Sequence, residues 1–301
     1  MLVAAAALGL CLVLLAGVVP ARLARATWPQ RAPAYALLLW QSLGLAGGVM
    51  AIETSVTVAL APAGGTHVEA LRSLSSRAAL PWWSLAAGLV ALALLLRLLS
   101  VLVLSTVRTL RARHRNRVLV DLVATRNPLL ARTSVVDHEV PLAYCLPGLR
   151  PRVVLSRGVL DLLREDEVRA VLAHEQAHVE QRHDLVVLPF LALGATFPRL
   201  PGVLVAKGEV ALLIEMLADD RAVRRHPREV LARALYRVGA AQVPEGGFGA
   251  TGTGDGVLLR AQRLVQPAAT LGGTGRATVV LATGLVLALP VLGLLVPLAA
   301  G

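Results

Sequence analysis

Val171-Leu-Ala-His174-Glu175-Gln-Ala-His178-Val-Glu-Gln-Arg-His-Asp184 decides how the rest of the chain is read. Two histidines four residues apart share one face of a helix, so both imidazoles can reach a single metal ion. Glu175 follows the first of them and stands close enough to take a proton from a water at that metal. Val168, Val171, Leu172 and Val179 give the same helix an apolar side that would bury it. The bland alternative is a surface helix whose histidines bind nothing. The expectation is a zinc hydrolase site with His174 and His178 as ligands and Glu175 as the catalytic base.

A third protein ligand is sought downstream. Lys207 to Arg225 reads as a long helix carrying Glu215-Met-Leu-Ala-Asp219 and then Asp220. Glu215 and Asp219 share a face and would repel each other, so a nearby cation gives the pair a physical reason. One can ligate the metal while the other hydrogen-bonds a ligand histidine and fixes its ring. The competing reading is a solvated acidic patch paired with Arg221, Arg224 and Arg225. Asp184 competes for the ligand position. Gln181, however, lacks the backbone freedom a sharp return of the chain would need, so Asp184 is placed beside the metal rather than on it. Helical projection puts His183 opposite the His174, His178 and Gln181 stripe, as a structural residue.

Upstream, 117–130 reads as a short amphipathic helix ending near Asn127-Pro128. Thr133–Val136, Pro141–Cys145 and Arg152–Leu155 read as strands of a small antiparallel sheet, separated by Asp137-His138-Glu139 and Pro147-Gly148. Ser156 suits the cap of a helix over 157–163, and Glu165 opens the motif helix with an acidic first turn. Downstream, 185–205 is apolar but broken by prolines and glycines. It reads either as a re-entrant, membrane-grazing connection or as a loop-helix packed on the domain core. Helices are expected over 228–240 and 257–265. The glycines of 243–256 match no phosphate-binding spacing.

Composition places this domain on a membrane. The 301 residues are 56% hydrophobic with a mean hydropathy of +0.67, too apolar for an ordinary soluble domain. Four stretches suit membrane spans: 2–19, 34–61, 81–107 and 277–298, the last with Pro290 as a kink or a helix end. A cleavable signal peptide would carry its positive charge before the apolar core, but Arg22, Arg25 and Arg31 follow it, which favours an uncleaved first span. The net charge is +11, almost all of it arginine. With aromatics at 3%, that charge reads as membrane-surface charge, and no direct nucleic-acid contact is expected. Arginines at 22–31 and 108–117 put those loops inside, both termini outside, and the zinc motif in the cytoplasm. Glu53 and Arg97 lie within spans, either paired with each other or with Arg97 snorkelling. Cys11 and Cys145 give neither a disulfide framework nor a cysteine-based zinc site.

The fold expected is an integral membrane, mainly α protein. Residues 1–107 form three spans, 108–275 a cytoplasmic α+β zincin-like metalloprotease domain, and 277–301 a fourth span and short tail.

His174-Glu175-Gln-Ala-His178, Arg182-His183-Asp184 and Glu215-Met-Leu-Ala-Asp219-Asp220 resemble membrane-embedded gluzincins, in particular the BlaR/MecR antirepressor peptidases, with a more distant similarity to HtpX-like proteases. Ala143-Tyr-Cys-Leu-Pro-Gly and Arg152-Val-Val-Leu-Ser156 look like that family as well, and the similarity spans about 115–265. The resemblance implies zinc held by His174, His178 and Glu215, Glu175 as general base, and Asp219 behind a histidine. It further implies a protein or peptide substrate, a transcriptional repressor being one candidate, pairing with a strand near Arg152–Leu155. Antibiotic-sensing members continue past the fourth span into an extracellular penicillin-binding domain, whereas this sequence stops at Gly301. The expectation is therefore an input through the 62–80 loop, the spans or a sensor partner.

Overall fold

The computed structural model describes residues 1–73, 79–123, 125–126, 133–146, 152–241, 253–266 and 269–299. The turns expected at Asn127-Pro128 and Pro147-Gly148, and most of the glycine-rich loop, lie outside them. Four helices are long and apolar enough to cross a bilayer: Leu2–Ala24, Pro33–Ala63, Trp82–Ala112 and Gly273–Leu294.

Helix α1 (Leu2–Ala24) contains a π turn at Leu14–Val18. Pro20 has no N–H for the Ala16 carbonyl, which removes one α-helical bond at that point. The short α2 (Trp28–Arg31) leads into α3 (Pro33–Leu60), and α4 (His67–Ser73) follows. Helix α5 runs unbroken from Trp82 to Val123. The separate helix expected over 117–130 is therefore the end of the third span's own helix. No glycine or proline interrupts 108–123, so nothing stops it at the membrane boundary.

A four-stranded sheet follows: β1 (Thr125–Arg126), β2 (Thr133–Val136), β3 (Ala143–Leu146) and β4 (Arg152–Ser156), ordered β1-β2-β4-β3. It is mixed, not antiparallel as expected, because β2 and β4 pair in parallel. The chain after β2 passes to the far edge before the β3–β4 hairpin turns back, so β4 fills the place between them. Val153, Val154 and Leu155 are all buried, as suits a strand covered on both faces.

The Ser156 hydroxyl accepts from Val159 N at 3.2 Å and caps α6 (Arg157–Leu162). The motif helix is α7 (Glu165–Glu180). Its Val168, Val171 and Leu172 pack on Val153, Leu155 and Val159, and this fixes which side of the helix faces away from the sheet. Two short helices, α8 (His183–Val186) and α9 (Leu188–Thr196), precede α10 (Pro201–Ala222), α11 (Arg228–Ala241), α12 (Thr253–Val265) and α13 (Gly273–Ala299). Helix α13 passes through Pro290, so that proline does not end it.

The apolar 185–205 segment is seated against the spans: Phe190 joins the cluster of Trp40, Leu43 and Met50 on α3. Arg97 Nη2 donates to the Ala195 carbonyl at 3.2 Å, at the end of α9. Of the two readings left open for Arg97, pairing with Glu53 is therefore not the one found, and Glu53 is buried with neither oxygen hydrogen-bonded among the described residues. Helix α10 is anchored at its start, where a Cβ on Gly202 would come within 1.8 Å of the Ala16 carbonyl, so only glycine permits the contact with α1. Val210, Leu213, Ile214 and Met216 then pack on the spans' apolar cluster.

Candidate metal centre

Packing of α7 against α10 brings His174, His178 and Glu215 together. His174 Nε2 lies 3.2 Å from His178 Nε2 and 3.3 Å from Glu215 Oε2, and His178 Nε2 lies 3.5 Å from Glu215 Oε1. Donors on a tetrahedral zinc at bond lengths of about 2.0–2.1 Å stand roughly 3.3–3.4 Å apart. The two imidazole nitrogens and the Glu215 carboxylate are thus grouped closely enough to share one metal ion, and the donor set suits zinc. Asp184 is not among the clustered ligand atoms; its charge acts on His183 and Cys145.

Each histidine has its second nitrogen held. His174 Nδ1 is 2.9 Å from Asp219 Oδ1, so the ring donates there and turns Nε2 inward. Asp219 is 1% exposed, and Arg260 of α12 grips it at 2.8 Å on both oxygens while reaching Glu215 Oε2 at 2.8 Å. Burial alone would push the Asp219 and Glu215 carboxyls up. Hydrogen bonds from His174 and the Arg260 charge outweigh it and hold both at about 2. Burial likewise works against a charged His174, but its bonds to Asp219 and Glu215 carry it up to about 9. A bound metal would displace that proton.

His178 is held differently. Its Nδ1 is 2.9 Å from His183 Nδ1, and His183 Nε2 is 2.8 Å from Gln181 Oε1. The amide oxygen can only accept, so His183 Nε2 carries the proton and His183 Nδ1 accepts from His178 Nδ1–H. That leaves the His178 Nε2 lone pair for the metal. Burial lowers the pKa of both rings, that of His178 to about 4, which keeps them neutral as this chain of bonds requires. His183 was expected on the opposite side of the helix. The helix ends at Glu180, and Arg182 takes a left-handed conformation (φ 51°), which swings His183 back onto His178.

Glu175 is pushed up to about 7 by burial, against the pull of His174, and it accepts a hydrogen bond from the Cys145 backbone. Strand β3 is therefore the element beside Glu175. It is an edge of the described sheet, whereas the strand at Arg152–Leu155, expected to border the cleft, is enclosed between β2 and β3. Among the described residues, the groups touching the cluster include Asp219, Arg260 and His183. Arg260 escaped the sequence because its partners lie on a helix far away in the chain.

Residues 109–212 match the family described as Peptidase family M48. A 72-residue stretch is 42% identical to a protein named Protease HtpX homolog from Aeropyrum pernix and covers 23% of each chain. The chain thus matches about a quarter of that relative's length. No solved structure matches the chain. The family match includes the whole motif helix and stops just short of Glu215. Together with four apolar helices, these similarities support a membrane metallopeptidase.

Proposed function

We propose that the protein is a membrane-bound zinc endopeptidase whose active site faces the cytoplasm. The observation that carries this is the close grouping of His174, His178 and Glu215, with Glu175 next to His174 on the motif helix. Zinc bound there would supply Lewis acidity toward a water and a peptide carbonyl. Glu175 takes the proton as the water oxygen bonds to the carbonyl carbon. It then passes that proton to the amide nitrogen as the C–N bond breaks. An extended substrate would add to the outer edge of β3, its backbone hydrogen bonds aligning a peptide bond beside Glu175. The arginines after the first span and along 108–117 support the cytoplasmic placement.

The task proposed is regulated proteolysis of a cytosolic or membrane-associated protein, in the manner of the antirepressor peptidases, with a transcriptional repressor as a candidate substrate and a sensor partner supplying the signal. Similarity to an HtpX homolog favours a second reading, a broader protease acting on membrane proteins. Glu175→Ala, which leaves all three ligands in place, is expected to trap substrate. One or two trapped proteins support the regulated role, and many support the broader one. If a downstream response survives the substitution with zinc still bound, proteolysis is not how the protein acts.

A further inference from the structure

Where the spans meet the catalytic domain, two adjoining cavities of about 380 and 350 Å³ share Arg31, Asp220 and Arg224 in their walls. Arg276 lines the first and Arg228 the second. Among the described residues, Arg31, Arg224, Arg228 and Arg276 pair with no carboxylate. The acid in the lining, Asp220, is already held by Arg263 at 2.7 and 2.8 Å. These four arginines are exposed along the walls of the two adjoining cavities, and an anion seated among them would relieve their mutual repulsion. Their planar forks match the geometry of phosphate oxygens.

The position adds to the chemistry. Arg31 stands just ahead of α3, and Arg276 lies in the first turn of α13, so the cavity sits where two spans enter the bilayer. Phosphates of a lipid leaflet lie at that level. Ala34 and Tyr35, in the first turn of α3, also line the cavity, and no side chain caps that helix. Their amides have no partner one turn back and point toward the same space.

We propose that this cavity binds a phosphate group, carried by an anionic phospholipid or free in solution. It is separate from the zinc ligands and does not depend on the proteolytic reading.

The test uses the full chain in phosphatidylcholine nanodiscs. One arm raises the fraction of phosphatidylglycerol and counts retained lipids by native mass spectrometry; the other titrates inorganic phosphate. Preferential retention of phosphatidylglycerol, weakened about fivefold by Arg31→Ala and again by Arg228→Ala, is the expected result. Arg225→Ala removes an exposed charge from the same turn, outside the lining, and should leave retention unchanged. Inorganic phosphate that binds and displaces the lipid supports the site with the free anion as ligand. Phosphate that fails to bind supports it with the lipid as ligand. The proposal is overturned if neither binds, or if Arg225→Ala weakens binding as much as Arg31→Ala. An unchanged melting temperature in every variant reports an intact fold.

Discussion

The two histidines of the candidate metal centre are held by unlike supports. Behind His174 stands a charged, buried arm in which Asp219 is locked by Arg260 from a helix elsewhere in the sequence. Behind His178 stands a neutral arm, His183 and then Gln181, built within a single turn. Both arms do the same chemical work, fixing a tautomer so that Nε2 faces the metal. They differ in what failure costs. A buried carboxylate stripped of its partner is left as an uncompensated charge, whereas a neutral ring stripped of its partner loses only a hydrogen bond.

The largest effect is expected where the charged arm ends. His174→Ala should release the bound equivalent of zinc and abolish peptide cleavage, and metal analysis of the purified protein checks it. An unchanged metal content would remove the centre altogether. Next in size, Arg260→Met should lower zinc affinity by about 10- to 100-fold and destabilise the fold by about 3–5 kcal/mol, because Asp219 stays buried and charged. Chelator competition and thermal unfolding read the two effects separately. If Arg260→Met unfolds at the wild-type temperature, the charged arm is not what the geometry indicates.

The neutral arm should yield less. Gln181→Leu removes the acceptor that sets the His183 tautomer, and zinc affinity is expected to fall by roughly tenfold with little change in stability. Gln181→Glu keeps an acceptor at that position and should restore most of the affinity. Equal losses in both variants would show that the tautomer is set by something other than this bond.

How far each arm could be read from the sequence follows from the same difference. His174, Glu175 and His178 are spaced by helix geometry alone, and so are Glu215 and Asp219, so local periodicity carries all five. Arg260 is joined to Asp219 only by tertiary packing, and its helix reads as a basic lead into the membrane. His183 was misplaced because helical phase was carried past Glu180, where Arg182 resets it with a left-handed residue that no side-chain pattern announces. The sheet shows the same limit: the strands are visible as β-rich runs, but their order and direction depend on pairing between segments apart in the chain, as with the parallel β2 and β4. Within the spans, hydropathy finds the four helices, while Arg97 answers to the Ala195 carbonyl, a contact that depth along the helix cannot foresee.

Glu175 gives the smallest effect and one that depends on pH. In the metal-free protein its carboxyl stands at about 7, raised by burial above the ordinary 4.5. A raised folded-state pKa favours the protonated form, so this contribution to stability is complete below about 4.5 and is lost as pH rises through about 7. Glu175→Gln resembles the protonated form and escapes the loss. Metal-free Glu175→Gln should therefore melt at the same temperature as wild type near pH 4.5 and several degrees higher at pH 8. Zinc places positive charge beside the carboxylate and lowers its pKa, so loading both proteins with metal should shrink the gap. Melting curves that stay parallel from acid to alkaline pH in the metal-free proteins would show that Glu175 ionises freely, and that burial does not tune the base.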